Sequence, residues 1–308
     1  MYYIEDRKME VIADQLHTSR SSVSRLISYA RQSGLVDIRI RSTADGISRL
    51  QWEVKLAFGI TPHIIPCAED MGAVERLERV GRYAGKLVNQ FVRPGMIVGV
   101  AWGSTMSAVS RHVQLRPMSD LTVVQLNGAA YEESAAIGYA AELLERFAGA
   151  FSARIEPFTV PAFFDDPATK QAMWRERSIR RIRDIQARMD VAIFSVGDPL
   201  SVIPGHVYRG SYLTATDHAA LLELGVVGDV ATKFYRADGS SDGIPLNDRS
   251  SGPELDILRT VQRRVAIVAD PGKCHSLKGA LAAGLITDLL MDEQTARNLL
   301  RSTNVHPD

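Results

Sequence analysis

The chain has 308 residues, 45% of them apolar, and its 36 Lys and Arg balance 36 Asp and Glu, a length that suggests two domains or one large domain with an appendage. No apolar run is long enough to cross a bilayer, and the start, Met1-Tyr2-Tyr3-Ile4-Glu5-Asp6, is not a signal peptide, so a cytoplasmic protein is expected. Cys67 and Cys274 stand far apart with no CxxC pair or clustered His, which fits free thiols and argues against a metal site.

Zero net charge hides a basic beginning. From His17 to Leu50 six arginines face two acids, a net charge of +4 that brings nucleic acid into view. Met9, Ile12, Ala13 and Leu16 form one face of a short helix. His17-Thr18 breaks it, at a position where glycine is common. Ser19 can cap a second helix. Its apolar face is Val23, Leu26, Ile27 and Ala30, with Arg20, Ser21, Ser22, Ser24 and Arg25 mostly on the other side. Gly34 is placed to end it. Leu35 to Arg41 then alternates apolar and polar, a strand with Arg39 and Arg41 on its wet face. Two short helices, a tight turn and a basic strand make a winged helix-turn-helix. Its second helix would put Ser and Arg side chains at base edges in the major groove, while Arg39 and Arg41 meet phosphates. The alternative is a small helical pair used for packing. A supporting first helix is largely missing ahead of Met9.

Ser42 to Gly46 reads as a polar break, which sets expected domains at 1–45 and 46–308. Ile47, Leu50, Val54 and Phe58 predict a helix, Ile64-Ile65-Pro66 a short strand, and Val74 to Phe91 a long amphipathic helix ended by Pro94-Gly95. Apolar runs at 96–101, 121–126, 155–160, 191–196 and 265–269 then alternate with helical patterns at 106–114, 134–147, 168–189, 217–224 and 276–283. Continuous apolar strands are covered on both faces, so a doubly wound, mostly parallel sheet between helices, a three-layer α/β domain, is expected.

Ligands in such folds bind at the carboxyl ends of strands. Gly99-Val100-Ala101-Trp102-Gly103-Ser104-Thr105 reads as strand, tight loop and helix start. There Gly103 permits a sharp turn, and Ser104 and Thr105 add hydroxyls to the unpartnered N–H groups of a helix N-terminus, which suits phosphate. Asn127-Gly128, Gly197 and Lys273 follow other strand ends. Lys273 supplies a cation for phosphate, Asn127 suits sugar hydroxyls, and Asp229 can accept from them. Each has a plain reading too: a surface lysine, an Asx-turn, a surface turn. Trp102 either covers the ligand or belongs to the core. The arginines between 175 and 188 are the solvated face of a core stripe, Ile179, Ile182, Ile185 and Met189. His206 and His218 stand alone. No catalytic residue, cofactor or metal is expected.

Together these segments resemble the SorC family of bacterial sugar-responsive transcription regulators. Ile12 to Leu16 through Ser19 to Leu26 is similar to the family's helix-turn-helix. Gly99 to Thr105 resembles its G-x-x-W-G-x-T loop. Gly225-Val226-Val227-Gly228-Asp229 resembles G-A-V-G-D, and Lys273 with Leu281 to Asp288 resembles the closing helix and strand. The resemblance covers almost the whole chain. It implies an effector domain related to sugar-phosphate isomerases and CoA transferases, a phosphorylated sugar effector at Ser104, Thr105 and Lys273, operator DNA as partner, and a homodimer or homotetramer. A sugar-phosphate isomerase or deaminase on the same fold is the alternative, with Asp198, Asp229 and His206 as candidates for acid and base; it has no use for an arginine-rich head.

Overall fold

The computed structural model describes all residues except 3–6, 33–42, 130–134, 200, 202–204, 210–211 and 302–308. The chain divides into two compact units, Met1–Asp45 and Gly46–Asp308.

In the first unit, helix α1 (Met9–Gln15) packs on α2 (Arg20–Gln32). Ile12, Ala13 and Val23 are buried between them, with Met9, Ile27 and Tyr2 alongside. The turn joining them passes through His17 at φ 48°, the left-handed region that a non-glycine residue adopts at some cost. Ser19 Oγ accepts the Ser22 N–H at 3.1 Å, capping α2. The predicted basic strand, with Gly34, Arg39 and Arg41, lies outside the described residues.

Helix α3 (Thr43–Phe58) runs across the division, and the second unit continues with β1 (Thr61–Ile65), α4 (Ala73–Phe91), β2 (Ile97–Val100), α5 (Ser104–Ser110), β3 (Thr122–Gln125), α6 (Ala135–Phe151) and β4 (Arg154–Glu156). There follow α7 (Pro167–Met173), α8 (Arg177–Gln186), β5 (Val191–Phe194), β6 (Val196–Gly197), α9 (His206–Arg209), α10 (Ala215–Glu223), β7 (Val226–Val230) and β8 (Lys233–Arg236). Last come α11 (Pro245–Arg249), α12 (Leu255–Thr260), β9 (Arg263–Val268), α13 (Cys274–Ala282), β10 (Asp288–Asp292) and α14 (Glu293–Arg301).

Seven strands form one sheet in the order β1-β10-β9-β5-β2-β3-β4, with every pairing parallel. Alternate residues of a strand enter different cores. Val191 and Ile193 face a cluster with α4, α5 and α6; Ala192 and Phe194 face one with α3, α8, α12, α13 and α14. This is the three-layer, doubly wound arrangement expected of continuous apolar strands. The winding reverses at β2: the chain moves outward through β3 and β4, then returns to β5 on the other side of β2. The crevice for a ligand in such sheets opens at that reversal, outside the carboxyl ends.

Several segments depart from the sequence reading. Residues 43–46 are helical, the first turn of α3, although the division between the two units falls at Asp45 and Gly46. The run 155–160 yields a strand only to Glu156, after which Pro157 cannot donate to a ladder. The pattern at 168–189 is two helices, α7 and α8, parted at Trp174-Arg175-Glu176. Helix α5 starts at Ser104, and α4 ends at Phe91, ahead of Pro94. The antiparallel ribbon β6-β7-β8 and helix α14 were not foreseen. Arginines of α8 stand outside a buried Ile179, Ile182 and Ile185 stripe, as expected. Arg181 donates twice to the Glu156 carboxylate on edge strand β4, at 2.7 and 2.8 Å.

Candidate functional site

The loop after β2 leaves the sheet at its reversal. Ala101 still donates its N–H to Ile193 O at 3.0 Å, so the strand's register carries to the turn. Gly103 then adopts φ 149°, a value that excludes most side chains, and stands at the head of α5. Its carbonyl accepts the Ser107 N–H at 2.8 Å. Ser104 is exposed and Thr105 buried. Trp102 is half-buried beside the loop, its Nε1 donating to Gly128 O at 2.9 Å and its ring packed on Tyr212.

Around this loop opens a small cavity of about 60 Å³, lined by Trp102, Gly103, Ser104, Thr105, Asn127, Ser195, Gly197, Tyr208, Asp229, Thr232 and Lys273, among others. Seven of the eight residues picked from sequence thus meet here. Gly128 does not line it: its N–H donates to Ser251 Oγ at 3.0 Å and its carbonyl is taken by Trp102.

The ribbon β6-β7-β8 supplies the acidic wall. Asp229 pairs with Gly197 across β6 and β7 and is 5% exposed, so the surface-turn reading fails. Tyr208 donates its hydroxyl to Asp229 Oδ1 at 2.8 Å, and Thr232 its N–H to Oδ2 at 3.0 Å. Burial pushes the Asp229 carboxyl up, against those two hydrogen bonds and the charge of Lys273. Burial, then the Asp229 charge, holds the Tyr208 hydroxyl well above its usual range. Gly197 is glycine for a reason of space: a Cβ there would collide with Asp229 Oδ1.

Lys273 comes from the turn Pro271–Lys273 after β9, which Asp270 fixes by accepting the Gly272 N–H at 2.8 Å. Its ammonium donates to Val196 O at 3.1 Å. It is therefore a half-buried cation at the cavity wall, not a loose surface lysine. Asn127 is 2% exposed and its Oδ1 has no hydrogen-bond partner; nor has the buried Ser195 Oγ. Among the described residues no group of three or more His, Cys, Asp or Glu could hold a metal.

Sequence reasoning missed Ser195, Tyr208 and Thr232. Ser195 sits two residues before the flagged Gly197, and its place at the end of an apolar run was the available signal. Tyr208 comes from a four-residue helix within a connection and carries no sequence signal. A larger open groove, about 510 Å³, lies by Ile97, Thr122 and Arg154 at the strands' opposite ends and is walled by α8 arginines. It lacks the buried unpartnered groups that mark the cavity.

A cavity at the reversal of a parallel sheet, with hydroxyls and an ammonium beside a glycine turn, defines a small-molecule-binding α/β domain. The family described as "Putative sugar-binding domain" matches residues 43–301, and the chain belongs to it. The chain is 31% identical to the "Deoxyribonucleoside regulator" of Bacillus subtilis (strain 168), over 97% of this chain and 95% of that protein. It is 24% identical to the "Sorbitol operon regulator" of Klebsiella pneumoniae, over 98% and 95%. Among solved structures, a domain of "a possible sugar-binding transcriptional regulator" from Arthrobacter aurescens TC1 is 46% identical, covering 85% of this chain and all of that one with a TM-score of 0.78. Full-length SorC of Klebsiella pneumoniae, at 23% identity, shares the fold over 97% of this chain and 95% of that one with a TM-score of 0.75. These relatives are named as regulators, not enzymes, which decides against the isomerase or deaminase alternative. No helix among the described residues is long and apolar enough to cross a membrane.

Proposed function

We propose that the chain is a cytoplasmic transcriptional regulator whose residues 1–45 bind operator DNA as a winged helix-turn-helix. Residues 46–308 hold a phosphorylated sugar and bring copies together as a dimer or tetramer. The observation that carries this reading is the cavity at the sheet's reversal, where a glycine turn, two hydroxyls and an ammonium surround groups that lack partners. The phosphate lies against Gly103, Ser104 and Thr105. The first N–H groups of a helix have no partner within it, and Lys273 supplies the positive charge. Asn127, Gly197 and Asp229 face the rest of the sugar. Ser19, Arg20, Ser21, Ser22, Ser24 and Arg25 of the capped second helix approach bases and phosphates, with Arg39 on phosphate.

Control then follows from linkage. The sugar binds one arrangement of subunits better than another, and that arrangement sets half-site spacing on DNA. Couplings of this kind are about 1–3 kcal/mol per site. The test is an anisotropy titration of the full chain on DNA upstream of its own gene, with and without a panel of sugar phosphates. A shift in operator affinity is expected. Arg25→Ala weakens DNA binding and flattens its salt dependence by about one phosphate contact, with sugar binding unchanged. No DNA binding at all, or no shift with any sugar phosphate, overturns the reading.

A further inference from the structure

The cavity holds two polar atoms that the protein itself leaves without partners, Asn127 Oδ1 and Ser195 Oγ. They flank the glycine turn. Strands β3 and β5 are the two neighbours of β2, and Asn127 and Ser195 follow their ends. Asn127 is almost wholly buried, and its backbone carbonyl accepts from Gln125 Nε2 at 2.7 Å. Other polar groups of the same wall are satisfied: both Asp229 oxygens, the Trp102 N–H and the Lys273 ammonium all have protein partners. Buried polar groups are normally paired, so an orphan on a binding cavity marks a place for a ligand atom.

The chemistry of the two atoms narrows that ligand. An amide oxygen only accepts, so the atom opposite Asn127 Oδ1 must carry a hydrogen. An ionised phosphate oxygen carries none, and the ammonium of Lys273 on the same wall disfavours a cationic amine. A hydroxyl remains. Ser195 Oγ, which donates and accepts, pairs with a second hydroxyl on the other side of the turn.

We infer that Ser195 and Asn127 read hydroxyl groups on the sugar portion of a phosphorylated sugar, and that Ser195 sets discrimination against deoxy analogues. This rests on the sugar-phosphate reading of the cavity. A site built to bond a hydroxyl rejects the analogue that lacks it, because its own buried group is then left unpaired.

The experiment is calorimetric titration and thermal shift of the full chain with ribose 5-phosphate and glucose 6-phosphate, each against its 2-deoxy and 3-deoxy forms. The wild type is expected to bind at least one deoxy form tenfold or more weakly than its parent. Ser195→Ala weakens the parent about tenfold and closes that gap. Asn127→Ala also weakens the parent. A structural hydroxyl would behave differently: since Ser195 Oγ has no protein partner, Ser195→Ala does not lower the melting temperature of the unliganded protein. Parent binding with no deoxy gap, or with Ser195→Ala indistinguishable from wild type, overturns the inference and leaves the sugar-phosphate reading standing. So does a fall in the unliganded melting temperature. Failure of every probe to bind, together with failure of the whole sugar-phosphate panel to shift operator affinity, overturns both.

Discussion

Two clusters of buried charge flank the turn between β7 and β8, and they are finished differently. Asp229 on β7 faces the cavity with Tyr208, Thr232 and Lys273. Four residues on, Lys233 of β8 is 2% exposed and donates to Asn247 O and Glu254 Oε1, both at 2.8 Å. Lys170 of α7 shares the Asn247 carbonyl at 3.2 Å and stands over the Trp174 ring. In this second cluster both ammoniums have acceptors. In the first, the neighbours Asn127 and Ser195 are left open. A closed polar cluster holds elements together, whereas an open one waits for something to complete it.

Changes on the cavity side should alter binding, and changes behind it should alter stability alone. The largest effect crosses the divide. Gly197→Ala drives a Cβ into the Asp229 carboxylate, so a loss of about 3 kcal/mol in urea unfolding is expected together with loss of the sugar response. Retention of both would mean that the ribbon yields freely.

Next is a pH effect behind the ribbon. Burial, with Lys233 beside it, brings the Lys170 ammonium down to about 8 from its ordinary 10.5. Between these values the unfolded chain holds a proton that the folded chain lacks, so stability rises with pH across that window. The gain is about 2 kcal/mol once partial screening by water is allowed for. Lys170→Met should flatten the rise without touching sugar affinity; an unchanged slope breaks the assignment.

On the cavity side, Ser104→Ala with Thr105→Ala should cost tenfold or more in sugar-phosphate affinity, read by calorimetry, at about 1 kcal/mol or less in stability. A large fall in the melting temperature would place these hydroxyls with the structural cluster. The smallest effect concerns Asp229. Its raised carboxyl binds a proton more readily when folded, so this group's contribution is full in acid and declines as pH rises through its folded value. Asp229→Asn should remove that decline in acid-range melts, and a persistent decline points to another carboxyl.

The loop was legible because its chemistry is local: glycine, serine and threonine at the end of an apolar run. Lys273 was found the same way, one turn after a strand. The ribbon was not, since Val226 to Val230 is punctuated by Gly228 and Asp229, and only its pairing with β6 and β8 makes it a strand. The division between α7 and α8 carries no Gly or Pro. It is set by packing, with Trp174 lodged against Phe158 and Phe164. In α3 the breaker signal of Gly46 was real but small, about 1 kcal/mol, and a sixteen-residue helix overrides it.

The three-residue strand β4 has a consequence for solubility. A long bare edge invites another chain to add to the sheet and seed fibrils. Here that margin is cut short by Pro157, and it carries the charged Arg154 and the Arg181–Glu156 clasp. Removing the clasp with Arg181→Ala would unmask a sticky border, and crowded preparations would then cloud or gel before the fold itself gave way.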